Sequence, residues 1–119
     1  MAGGMRIYIA FCAALLVTAG GAQAAERLRF WNLTDGTVTE LSLAPAGTTN
    51  WGPNQCRNDP DGAVDHDERL TLKDVVPGVY DVRLADKQGR VCVVHNVEVK
   101  AGKPYAFSIS ESDLKDCNR

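Results

Sequence analysis

The chain reads as an all-β fold, a small antiparallel β-sandwich of six to seven strands. Three observations predict it. Short apolar runs of period two recur from residue 27 onward. Turn residues separate those runs at regular spacing. The chain left after a cleaved leader is the length of one small domain.

The leader comes first. Arg6 gives a positive start, Ile7 to Ala19 is an uncharged apolar run, and Ala22-Gln23-Ala24 offers a small-x-small cleavage pattern. Residues 1–24 therefore read as a signal peptide, and residues 25–119 as a single domain that is periplasmic or secreted. The apolar run falls short of the roughly 20 residues that span a bilayer, so no membrane insertion is expected after cleavage. Cys12 follows a poor lipidation box, Ile9-Ala10-Phe11, and the apolar run continues past it, so it reads as an ordinary signal residue. A single arginine excludes the paired-arginine export signal.

Cleavage removes one of the 13 Lys and Arg residues and none of the 15 Asp and Glu residues, which leaves 12 − 15 = −3. A mildly acidic domain is a poor partner for nucleic acid, whose binding is driven by phosphate neutralisation. No basic amphipathic stretch suits a membrane surface.

The elements follow in order. Arg27 to Leu33 places Leu28 and Phe30 on one face and Trp31 on the other. Thr34-Asp35-Gly36 predicts a hairpin into the return strand Thr37 to Ala44. Residues 45–68 form a long irregular loop rich in Gly, Pro, Asn and Asp. Leu70 and Leu72 alternate in Arg69 to Lys73. After the Val76-Pro77-Gly78 turn, Val79 to Ala85 sends Tyr80, Val82 and Leu84 one way and Asp81 and Arg83 the other. That spacing predicts a half-buried strand with a surface ion pair. Val91 to Val99 is the most apolar segment and is expected in the middle of its sheet. Tyr105, Phe107 and Ile109 line one face of the last long strand. Ser110 to Cys117 opens with the Ser-x-x-Asp pattern of a short helix or turn.

Cys56, Cys92 and Cys117 survive cleavage. In an oxidising space this predicts one disulfide and one remainder. Cys92 with Cys117 is the favoured pair because it ties down the C-terminus; Cys56 with Cys92 is the alternative. No C-x-x-C pair supports a thiolate metal site.

The run Pro77-Gly78-Val79-Tyr80-Asp81-Val82-Arg83-Leu84, with Asp86, Gly89, Val97-Glu98-Val99 and Gly102, resembles the prealbumin-like sandwich modules. The resemblance implies an immunoglobulin- or prealbumin-like sandwich and no particular activity. Phe30-x-Asn32-x-Thr34, Ala44-Pro45, Trp51-Gly52-Pro53-Asn54, Tyr80-Asp81-Val82-Arg83 and Asp86-x-x-Gly89 together resemble a family of small exported bacterial proteins without established function. That resemblance implies an exported sandwich.

Chemistry has few places to sit. Five carboxylates crowd residues 59–68. Laid on a calcium loop, Asp59, Asp61, Asp65 and Glu68 take ligand positions and Gly62 the sharp turn. Arg57 stands where the first carboxylate belongs, and the flanks are not helices. A solvated acidic loop is the competing reading. Trp51 and Asn54 mark a candidate binding loop, with Trp51 as a cap on the sandwich as the competing role. His95 shares a strand face with Val93 and Val97 and is expected as a buried imidazole. Cys56 lies beside carboxylates that blunt a thiol. No motif sets a nucleophile beside a base. The expectation is a non-enzymatic binding or scaffold module without a cofactor, its partner a protein or small ligand. A calcium-binding module is the alternative.

Overall fold

Alternating apolar residues build seven strands in two layers, and among the described residues the only helical turns are short 3-10 pieces. The computed structural model describes residues 27–118; the predicted leader and its cleavage site lie outside the described residues. The strands are β1 (Arg29–Leu33), β2 (Val38–Pro45), β3 (Arg69–Thr71), β4 (Gly78–Asp86), β5 (Val91–Val99), β6 (Phe107–Ser110) and β7 (Asp116–Asn118). One sheet has the order β3-β1-β6 and the other β2-β4-β5-β7. All pairings are antiparallel except β1 with β6, which is parallel. The expected sandwich is present.

The inward faces are those the alternation marks. Phe30, Leu41, Val82, Leu84 and Ile109 are fully buried, and the rings of Phe30 and Phe107 meet at 5.2 Å. Each such side chain contributes about 1.5–3 kcal/mol when it leaves water. Trp31 points outward as expected. Its indole donates to Asp67 at 2.9 Å, and the Arg69 guanidinium sits 4.2 Å from the ring centroid.

The hairpin expected at Asp35-Gly36 does not form. β1 and β2 belong to different sheets, so the turn is a corner between layers. Buried Asn32 supplies the reason. Its amide donates to the carbonyls of Gly36 (3.0 Å) and Val64 (2.9 Å), and its oxygen accepts from the Thr34 hydroxyl (2.7 Å) and amide (2.9 Å). A Cβ on Gly36 would lie 2.7 Å from Asp86 Oδ2, so the corner needs glycine for close approach.

A sandwich has two open sides. On the β2/β3 side the long loop acts as a plug. Asn54 accepts from the amides of Leu41 (3.0 Å) and Cys56 (2.9 Å) and donates to the Thr39 carbonyl (3.2 Å). Gln55 donates to the Lys73 carbonyl (3.1 Å) and accepts from its amide (2.9 Å). Buried Val64 exchanges two backbone hydrogen bonds with Val38, and buried Cys56 faces the core. Two amide side chains thus serve as strand partners, which leaves that side sealed.

The C-terminus is tied as expected. The sulfurs of Cys92 and Cys117 are 1.95 Å apart, and the two residues pair across β5 and β7. Among the described residues Cys56 is the free thiol, and it is buried. Ser110 opens the predicted turn with a capping box to Asp113.

Candidate functional site

The opposite side of the sandwich, between β5 and β6, stays open. β7 pairs with β5 only from Val91 to Val93, and β6 has a strand neighbour on one side only. The two strands diverge from a tie at Lys100, whose amide donates to the Ala106 carbonyl at 3.2 Å. A cleft of about 570 Å³ opens between them. A smaller cleft of about 240 Å³ continues past Lys115 and Asp116, sharing Val94, His95 and Asp113 with the first. The larger is lined by the consecutive residues 94–98 of β5 and 103–108 leading into β6. Consecutive residues of a strand point to opposite faces, so this groove runs along strand edges rather than across a sheet face.

A β-bulge shapes its centre. Tyr80 pairs with Val97 and Val82 with Val94, so Asp81 stands opposite both His95 and Asn96. Asn96 takes a left-handed conformation, φ 56°. The bulge strips strand partners from local amides, and Asp81 replaces them. Its carboxylate accepts from Asn96 N–H at 3.0 Å and from Gly47 N–H at 3.1 Å. These two backbone donors, Asn96 first, hold the Asp81 carboxyl below its ordinary range, with His95 adding to the effect.

Two expectations are thereby corrected. Asp81 is buried, and its partners are the bulge and His95 rather than Arg83, which faces solvent. The His95 side chain is 55% exposed rather than buried, because the bulge lifts it off the Val93–Val97 alternation. Its Nε2 lies 2.9 Å from Asp116 and its Nδ1 3.5 Å from Asp81. The Asp116 hydrogen bond, followed by the Asp81 contact, raises the imidazole's pKa above its ordinary value. Both ring nitrogens face carboxylates, and this arrangement favours the protonated ring. Its nitrogens are held by carboxylates and not by Ser108, a hydroxyl of the same groove.

The residues first picked out for function serve the loop. Asp59 accepts from the Asp61 amide (2.9 Å), Glu68 from the Asp65 amide (2.8 Å), and Asp65 from the Thr37 hydroxyl (2.8 Å). Each closes a turn or ties the loop to β2, and Gly62 takes the left-handed turn at φ 68°. Among the described residues no three His, Cys, Asp or Glu side chains gather as a metal site. Trp51 is half-buried in the loop that seals the far side, and neither it nor Asn54 lines the groove. His66 Nδ1 lies 2.8 Å from the Thr34 carbonyl, so that nitrogen carries the proton. Burial pushes the Cys56 thiol up to about 12, with Asp59 and Glu40 adding to the effect, so the thiolate nucleophile is suppressed.

A second charged group went unpredicted. Arg90 bonds buried Asp86 at 2.8 Å and both oxygens of Glu111, which in turn accepts from the Asp35 amide at 3.0 Å. It clamps the β4–β5 turn to the corner between the sheets. Arg90 lowers the Glu111 carboxyl below its ordinary range, helped by the Asp35 amide.

Comparison of the chain with protein-family models, with curated proteins and with solved structures finds no match. Among the described residues no helix is long and apolar enough to cross a membrane. The Cys92–Cys117 pair suits an oxidising compartment.

Proposed function

We propose that this chain is an exported, non-enzymatic binding module whose ligand seat is the β5–β6 groove. One observation carries the reading. The long loop plugs one side of the sandwich with buried residues and strand-mimicking amides, while the other side is left as a cleft of about 570 Å³. Concave sites with an apolar floor and a few placed polar groups are the usual seats of ligands. Val94, Val97 and Tyr105 give the floor, and His95, Ser108 and the lysines give the polar groups. The engaged imidazole and the absence of an activated hydroxyl or thiol among the described residues support binding rather than catalysis. The leader pattern and the disulfide support a periplasmic or secreted location.

Amide chemical-shift mapping with a fragment library tests the seat. Shifts should collect on residues 94–98 and 103–108. Shifts that collect instead on residues 51–54 would move the seat to the long loop and overturn this reading.

A further inference from the structure

We propose that the β5–β6 groove takes an acidic, extended polypeptide segment of a partner protein, laid along the free edge of β5 with its carboxylates on Lys103 and Lys115. The proposal rests on the groove being the ligand seat.

The charges lining the groove divide unevenly. Each carboxylate there has a partner: Glu98 has Lys100 at 3.7 Å, Asp116 has His95 at 2.9 Å, and Asp113 accepts from the Ser110 amide at 2.8 Å. Lys103 in the larger cleft and Lys115 in the smaller one are exposed and make no ion pair among the described residues. Among the described residues Lys103 and Lys115 are therefore the groove cations without a carboxylate partner, on a molecule whose formal net charge is −2. Opposite potentials select partners and set their orientation.

The backbone selects an extended chain. Among the described residues β5 beyond Val93 has no strand neighbour on its outer side, and the facing β6 edge is equally unpaired. An extended peptide that adds to such an edge gains main-chain hydrogen bonds, while its side chains reach both faces. Residues 94–98 give a seat of roughly 17 Å, at about 3.4 Å per residue. The His95–Asn96 bulge sets the His95 imidazole among the residues that line the groove.

The probe is a fluorescein-labelled heptapeptide of alternating Glu and Val, measured by anisotropy. Companion probes are Gln-Val and Lys-Val versions, a Glu-Val version N-methylated on alternate amides, and tetragalacturonate. The Glu-Val peptide should bind at least tenfold tighter than its Gln-Val and Lys-Val versions. N-methylation and the double variant Lys103→Glu/Lys115→Glu should each weaken it at least tenfold, with the melting temperature of the variant unchanged. The milder Lys103→Gln/Lys115→Gln should fall between. Equal binding of the Gln-Val or N-methylated peptide overturns the proposal, as does tetragalacturonate binding where no peptide binds. If fragments still map to the groove, those failures leave the groove as the ligand seat. Peptide shifts that fall outside residues 93–108 and 113–116 would overturn both.

Discussion

Asp81 and His95 carry more of the site than any other pair of side chains. Asp81 replaces the strand partner that the bulge removes, and His95 joins it to Asp116 on β7. The sign of the pH dependence follows. The His95 pKa is raised in the fold, so its contribution to stability is full below the unfolded value of about 6.5. That contribution is lost as pH rises through the raised folded value. Unfolding free energy measured in urea from pH 6 to pH 9 should therefore contain a downward step that His95→Gln removes. In an NMR titration, Asp116→Asn should lower the His95 pKa more than Asp81→Asn does. An unshifted imidazole in the wild type would contradict the bridge. Asn32 makes the second residue-scale case. Asn32→Ala strands the buried Thr34 amide and takes one hydrogen bond each from the Thr34 hydroxyl and from the carbonyls of Gly36 and Val64. Stranding buried polar groups costs about 1–3 kcal/mol each. A loss of at least about 2 kcal/mol in denaturant unfolding is expected, and a loss under about 0.5 kcal/mol would show that water reaches the corner.

At the scale of elements, the loop of residues 45–68 behaves as a folded plug. Asn54→Ala and Gln55→Ala should each cost about 1–3 kcal/mol, since each leaves backbone groups of neighbouring strands unpaired. Hydrogen exchange at the Leu41 amide should quicken in the first variant and at the Lys73 amide in the second. Unchanged protection would mean that the side chains ride on the strands without holding them. The same plug bears on calcium. With Asp59, Asp65 and Glu68 engaged within the loop, millimolar calcium should leave the melting temperature unmoved in the wild type and in Arg57→Asp alike. A rise of several degrees in either would bring those carboxylates together on an ion. The strands themselves were legible in the sequence, because a half-buried strand writes its period directly into residues such as Val82 and Leu84. The corner at Asp35-Gly36 was not, because a turn dipeptide does not say whether the next strand returns to the same sheet. That choice is made by Asn32 and by Val64, 32 residues away from it. The groove was hidden for a related reason. A bulge breaks the period that sequence reading relies on, so His95 looked buried and Asp81 looked exposed.

For the whole molecule, the balance of closure and openness is set at the C-terminus. β7 is three residues long and buries none of them fully. Backbone pairing over so short a strand does not hold a chain end against fraying. The Cys92–Cys117 bond does, across a sequence separation of 25. In the chain-entropy model, closing a loop of that length stabilises by about 3.5 kcal/mol. For a domain of this size each kcal/mol moves the melting temperature by about 4–8 °C. The double variant Cys92→Ser/Cys117→Ser should therefore melt roughly 15–25 °C below the wild type. It should also free Asp116 from His95, so the imidazole pKa falls toward its ordinary value in the same variant. Thiol counting by mass spectrometry gives an independent check. Iodoacetamide should label no cysteine in a native chain of residues 25–119, because Cys56 is buried and its thiol pKa is about 12. It should label one after unfolding without reductant, and all three cysteines of that chain after unfolding with reductant. Two or more labels before reduction would break the disulfide assignment. A double variant that melts within about 5 °C of the wild type would show that β7 is held by its strand pairing, leaving the open side of the sandwich independent of the bond.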